Sequence, residues 1–344
     1  MCDFDTGYTT LVGPEGELRI LLERWAEVAG DRRSRGPGPD LLTLGDQGLG
    51  TEFWDSRCPA VAVLWHHGHA ERTIAHTIQA RLLATMGPTN ILCEPGFRLE
   101  LASSGSANAN PRVMLDHSRV KQARAALELG SGRTVAILDT GNSGATEDMV
   151  DFIGGLPVIR ASEDPHGHGT AVIGLVRALR PDASVAVGRV ANENGRVESK
   201  DLFIALIWAL WAGRHDVVNV SLSNQLAGDC STMLGGTLPH VLELCRRDGA
   251  GSRATLVAAA GNSTQGQRIG YPALLPDVDV AYALDWKGAN ADYNVDVSDF
   301  GGRVVKAFGG TATEPFGMVG DGHASMPIFG TSFAAAVVTA SHLA

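Results

Sequence analysis

Positive charge is in deficit. The chain carries 28 lysines and arginines against 38 aspartates and glutamates, a formal net charge of −10. A nucleic-acid binder needs a basic footprint to neutralise phosphates, so no nucleic-acid partner is expected. Cysteine is scarce and odd in number, at Cys2, Cys58, Cys93, Cys230 and Cys245. The spacing fits no metal template, and these residues read as free thiols in a reducing cytoplasm. Long apolar runs are lacking too. The longest, "LFIALIWALWAG" at 202–213, is too short to span a bilayer and reads as a buried helix. The opening "MCDFDTGYTTLVGPEGELRI" lacks the basic leader and apolar core of a targeting signal, so no membrane partner is expected. Glycine, by contrast, is abundant at 42 of 344 residues. Apolar segments persist throughout, so the glycines imply tight turns, not disorder. The length suits one large enzyme domain plus a module.

Two textures divide the chain. "GELRILLERWAEVAG" (16–30) has apolar residues at helical spacing, and "AVAVLWHHG" (60–68) reads as a strand. "AERTIAHTIQARLLATMG" (70–87) reads as a helix that stops at a glycine. "NILCEPGFRLELASSG" (90–105) reads as two short strands around a Pro-Gly turn. Residues 1–112 are therefore expected to form a small α+β module, with "ASSGSANANP" (102–111) as the boundary. From 113 to 344, strand-like and helical runs alternate. "RTVAILDTG", "AVIGLVRALR", "ASVAVGRV", "DVVNVSLS", "HVLELCRRDG", "ATLVAAAGN" and "DVDVAYAL" follow in turn. That alternation predicts an α/β domain with a mostly parallel sheet flanked by helices. Sites in such sheets form beyond the carboxyl ends of the strands. Asp139 and Asn262 stand at two of those ends.

"DPHGHGTAVIG" (164–174) places two histidines two positions apart, just before a helical pattern. Taken alone this is an ordinary turn. "FGTSFAAAVV" (329–338) puts Ser332 at a helix start, where serine is common simply as an N-cap. Together the residues suggest more. A serine hydroxyl becomes a nucleophile when an imidazole takes its proton. The imidazole in turn needs a buried carboxylate to fix its tautomer. The chain offers Asp139, His168 and Ser332, each in a glycine-containing frame ("LDTG", "GHGT", "FGTS"). Asn262 adds an amide able to donate to an oxyanion.

On these motifs residues 113–344 resemble the subtilisin-like serine proteases, the subtilases. "VAILDTG" is similar to the family's aspartate motif, "HGTAVIG" to its histidine motif and "GTSFAAAVV" to its serine motif. "VVNVSLS" (217–223) is similar to the strand lining the substrate cleft, and "VAAAGN" (257–262) to the strand ending at the oxyanion asparagine. The resemblance implies peptide-bond hydrolysis of a protein or peptide substrate through an acyl-enzyme. Ser332 would be the nucleophile, His168 the base and Asp139 its orienter. Asn262 and the Ser332 N–H would form the oxyanion hole. Asn219, Ser221, Leu222 and Ser223, with Ala259, Ala260 and Gly261, are the substrate-binding candidates. His166 is expected to be a loop residue.

The pattern is broken in places. Ala336 stands where the family usually has proline, Ser223 where it usually has glycine, and Phe308 where proline is common. The chain runs only twelve residues past Ser332, where the family normally adds a further helix, so the Ser332 helix is expected to need another cover. The α+β module sits where many subtilases carry a propeptide that blocks the cleft. A retained module that binds a regulatory partner is equally open. No cofactor is implied. Family members often bind calcium through loop oxygens, but no acidic loop here is distinctive enough to nominate. His66, His67, His69 and His76 cluster near a strand–helix junction in a spacing that matches no zinc template, so no metal site is assigned. An intracellular endopeptidase restrained by its N-terminal module is the leading reading. A latent or inactive binding protein on the same fold is the alternative, since fold alone does not fix function. A nucleotide-binding protein is disfavoured, because no phosphate-cradling glycine loop follows a strand.

Overall fold

The structure is a computed structural model. It describes residues 8–29, 39–43, 57–65, 72–96, 98–101, 111–127, 133–143, 149–155, 157–160, 163–212, 215–223, 236–248, 253–263, 269–320 and 325–344. The first elements are β1 (Tyr8–Pro14), α1 (Glu15–Glu23), α2 (Trp25–Ala29), β2 (Asp40–Leu42), β3 (Pro59–Trp65), α3 (Arg72–Met86), β4 (Leu92–Pro95) and β5 (Arg98–Leu101). Four of these strands form an antiparallel sheet in the order β2-β3-β1-β4. The single helix expected over 16–30 is two, because the chain turns at Arg24, whose N–H is shared between the carbonyls of Ile20 and Leu21. The two strands around Pro95 and Gly96 are present but do not pair. β4 joins β1, while β5 leaves the sheet.

The remaining elements are β6 (Arg112–Leu115), α4 (His117–Ala125), β7 (Thr134–Asp139), β8 (Met149–Asp151), β9 (Val158–Arg160), α5 (His168–Leu179), β10 (Ser184–Arg189), β11 (Arg196–Glu198) and α6 (Ser199–Ile207). They continue as β12 (Val217–Val220), β13 (Leu222–Ser223), α7 (Thr237–Asp248), β14 (Thr255–Ala259), β15 (Val278–Leu284), β16 (Arg303–Phe308), β17 (Gly317–Gly320), β18 (Ser325–Pro327) and α8 (Thr331–His342). Eight strands form the main sheet, in the order β16-β15-β14-β12-β7-β10-β8-β9. Every neighbouring pair is parallel except the edge pair β8–β9. The mostly parallel sheet flanked by helices, preceded by a small α+β module, is thus the architecture expected from the sequence.

Each face of this sheet carries its own core. On one face, α5 and α8 pack with Ile137, Val257 and Ala281. On the other, α6 shares a core with Val218 and Leu256 and also with Tyr8, Val61 and Val63 of the N-terminal sheet. β3 alternates accordingly. Val61 and Val63 belong to the shared core, while Ala60 and Ala62 belong to a separate core with Leu18, Leu21 and Leu82. The "LFIALIWALWAG" run is the buried α6 followed by a π-helical turn at Trp208–Ala212. No helix among the described residues is long and apolar enough to cross a membrane.

The Ser332 helix does not stand uncovered. α8 lies across β12, β14, β15 and β16 and beside α5, and its residues from Thr331 to Ala340 are buried. Small side chains make this possible, since Ala334, Ala335 and Ala336 let the helix sit close to the sheet. Arg180 donates to the Leu343 carbonyl, and Arg133 to the His342 carbonyl at 3.0 Å, which satisfies orphan groups at the helix end. Phe308 stacks on Trp286 at 5.1 Å between ring centroids.

Candidate active site

Asp139 is the last residue of β7, and His168 is the first of α5. His168 Nδ1 donates to Asp139 Oδ1 at 2.7 Å, and both side chains are buried. The same oxygen accepts from the Thr140 N–H at 2.8 Å. Nε2 of His168 is buried and has no hydrogen-bond partner among the described residues. The pair can form because β7 and α5 approach closely at the two glycine frames. A Cβ on Gly169 would stand 2.3 Å from the Gly141 carbonyl oxygen and 3.2 Å from Asp139 Cβ. Backbone cannot yield as a side chain can, so Gly169→Ala is expected to destabilise the fold by about 1–3 kcal/mol. Urea unfolding of the variant beside the parent chain measures it.

Asp164, which carried no assignment from the sequence, holds this helix start. Its Oδ1 accepts from the Gly167 N–H at 2.8 Å, and its Oδ2 accepts from the N–H and hydroxyl of Thr170 at 2.8 and 2.6 Å. The detectable signal was an acid just ahead of a helical pattern, the usual capping arrangement. Thr140 adds a second anchor, its hydroxyl accepting from the Gly169 N–H at 2.8 Å.

The two histidines of "HGH" are distinguished by their surroundings. Burial opposes charging of His168, but the charge of Asp139, its hydrogen bond and the charge of Asp164 outweigh that, and the pKa is raised above the usual histidine range. His166 shifts the other way. Burial and the neighbouring His168 lower its pKa, and the charges of Asp139 and Asp164 offset this only in part. Its ring lies 6.2 Å from that of His168.

Ser332 lies in the first turn of α8, where the Phe333 and Ala334 N–H groups bond back to the Gly330 carbonyl. Asn262, one turn beyond β14, is folded back against that helix start. Its Oδ1 accepts from the N–H and the hydroxyl of Thr331, both at 2.9 Å. This anchors the carbonyl end of the amide and aims the amine end elsewhere; a Cβ on Gly330 would stand 2.7 Å from Nδ2. The Ser332 hydroxyl donates to the Ser221 carbonyl at 3.2 Å. It is not bonded to His168, although the ring of Phe333, its neighbour, lies 5.6 Å from the His168 ring. The two helix starts therefore adjoin, with serine and imidazole each turned to its own surroundings.

The cleft candidates separate into two groups. Ser221, Leu222 and Ser223 run beside the Ser332 helix start, and Ala259, Ala260 and Gly261 lead to Asn262 on the neighbouring strand. Asn219 faces inward instead. It is fully buried, its amide donates to the Thr339 hydroxyl of α8 at 2.8 Å, and its Oδ1 accepts from the Ser221 hydroxyl at 2.8 Å. Its side chain is spent on holding α8 to the sheet. One edge of β13 is taken by β5. β5 lies between β11 and β13 as the middle strand of a three-stranded antiparallel sheet. Leu101 pairs with Leu222, Glu100 with Ser223 and Arg196, and Arg98 with Glu198.

The sequence profile of the subtilase family matches residues 130–343. The chain belongs to the subtilase family. This subtilase is 27% identical over 192 residues to the minor extracellular protease Epr of Bacillus subtilis (strain 168), covering 52% of the chain and 28% of that protein. It is 31% identical over 177 residues to a thermostable alkaline protease of Halalkalibacterium halodurans, covering 48% of the chain and 45% of that protein. It is also 29% identical over 221 residues to alkaline elastase YaB of a Bacillus species (strain YaB), covering 60% and 52%. The subtilase thus spans about half the length of these relatives or less. Its fold is similar to that of fervidolysin from Fervidobacterium pennivorans, with a TM-score of 0.63 at 18% identity over 96% of this chain and 53% of that one.

No group of three or more His, Cys, Asp or Glu side chains among the described residues is arranged to hold a metal ion. His66, His67 and His69 lie outside the described residues, as do Cys2 and Cys230 and most of the 102–111 boundary. His76 is exposed on α3.

Proposed function

We propose that this subtilase is a serine endopeptidase that hydrolyses peptide bonds of protein or peptide substrates through an acyl-enzyme, and that its N-terminal module restrains it. The reading rests on the buried Asp139–His168 hydrogen bond of 2.7 Å, which ties up Nδ1 and leaves Nε2 as the proton acceptor beside the Ser332 helix start. In the proposed reaction Ser332 Oγ turns from the Ser221 carbonyl and attacks the substrate carbonyl. His168 Nε2 takes its proton and then gives it to the leaving amine. Asp139 stabilises the imidazolium. The Asn262 amine and the Ser332 N–H receive the oxyanion. Water, deprotonated by His168, then releases the acyl group and restores the serine.

The restraint is ascribed to β5. A strand paired on both sides, with β11 and with β13, occupies the place an extended substrate would take by strand addition. The buried free thiols of Cys93 and Cys245 favour a cytoplasmic location. A second reading, a latent or inactive binding protein on this fold, is favoured by the Ser332 hydroxyl bonding to Ser221 and not to His168.

Labelling with a fluorophosphonate separates the two. The full chain is expected to be labelled and Ser332→Ala is not, with the intact mass followed in both. A Ser332-dependent mass loss near residues 102–112 would make the module a self-cleaved propeptide, whereas labelling at constant mass would make it a retained regulator. A folded chain that takes no label favours the binding protein.

A further inference from the structure

We infer that Ser223 sets the substrate class of this cleft, closing the crevice beside Ser332 so that only a residue with a small side chain, such as alanine, glycine or serine, can offer its carbonyl to the nucleophile. The inference rests on the protease reading above. Ser332 Oγ lies on the Ser221 carbonyl, and Asn262 is pinned to Thr331, so an attacked carbonyl has to sit between the segments 221–223 and 260–262. The side chain of the attacked residue is then directed into the crevice between those segments. Gly261 forms one wall and cannot retreat, because its N–H donates to the Thr331 hydroxyl at 3.1 Å.

Ser223 reaches across to that wall. A Cβ on Gly261 would stand 2.7 Å from Ser223 Oγ, 3.5 Å from Ser223 Cβ and 3.3 Å from Val295 Cγ1. Ser223 and Val295 are each 2% exposed. The serine side chain therefore bridges the two walls, with Val295 filling the space behind. A glycine at 223 would remove two heavy atoms from the crevice without touching the strand pairing.

The test uses the full chain once its intact mass is constant. Peptide substrates differ only in the residue before the scissile bond, which is alanine, leucine or phenylalanine. One methylene of fit in such a pocket is worth about 10–200-fold. The parent chain is expected to prefer alanine to phenylalanine by at least about 100-fold in kcat/KM. Ser223→Gly is expected to shrink that ratio by at least about tenfold, and Ser223→Ala, which keeps the Cβ, by less. The alanine variant preserves the test if the glycine variant does not fold. A parent chain that prefers phenylalanine or leucine overturns the inference, as does a ratio unmoved by either variant. A Ser332 that takes the fluorophosphonate in a chain that turns over none of the peptides, in the parent and in Tyr8→Ala alike, overturns it too. A Ser332 that takes no label overturns the protease reading, and the inference with it.

Discussion

Asp139→Asn is expected to lower kcat by about 10⁴-fold while leaving KM nearly unchanged. The reason is the tautomer. The carboxylate accepts from His168 Nδ1 at 2.7 Å, which leaves Nε2 bare and able to take the serine proton. An asparagine amine in that place would donate to Nδ1 and drive the proton to Nε2, where it blocks general-base action. The Thr140 N–H can still bond to the asparagine carbonyl, so the loop keeps its anchor. The pH profile adds an independent check. The base acts only when neutral, so activity falls as pH drops through the His168 pKa. That pKa is raised, so the acid limb of kcat/KM is expected above the ordinary histidine value of about 6.5. In Asp139→Asn the carboxylate charge is gone and burial acts unopposed by it, so the residual activity should show an acid limb moved to lower pH. A limb that stays in place would mean that another group titrates. His166 is a poor candidate, because burial and His168 already lower its pKa.

The parts legible in the sequence were those encoded locally. Asp139 ends an apolar run at a glycine turn, and His168 and Ser332 open helices at glycine frames; each is marked by its immediate neighbours. What escaped depends on partners far along the chain. β1 carries "YTTLVGP" and is buried at every position, because helices cover one face of its sheet and α6 the other. With both faces buried there is no alternation to read, and Thr9 and Thr10 disguise a core strand as polar. Asn219 sits in the right strand, but a period of two cannot say which face meets α8 and which meets a cleft. The pairing of β5 with β11 and β13 joins residues about a hundred positions apart, and no local pattern fixes such a register. Asp164 and Thr170 carried no assignment from the sequence. Only their mutual hydrogen bonds reveal them as the support of His168.

Tyr8→Ala is expected to loosen the N-terminal module and raise peptide turnover by the full chain about 10²- to 10³-fold. Tyr8 is 1% exposed and belongs to the core that the module shares with α6. Its hydroxyl donates to Glu198 Oε2 at 3.0 Å and lies 3.1 Å from Ser199 Oγ. Glu198 is also the β11 residue that pairs with Arg98 of β5, so one residue links the docking of Tyr8 to β5. Truncating a buried aromatic ring costs about 3–5 kcal/mol. At 1.4 kcal/mol per factor of ten, that lost docking energy corresponds to roughly the change in open fraction given above. Tyr8→Phe keeps the ring and loses only the hydroxyl contacts, so its effect should be nearer tenfold. The rate of fluorophosphonate labelling at Ser332 measures cleft opening directly and should rise in the same order. If turnover and labelling are as slow in Tyr8→Ala as in the parent chain, the shared core does not hold β5 in the cleft, and the three-stranded pairing restrains the enzyme by itself.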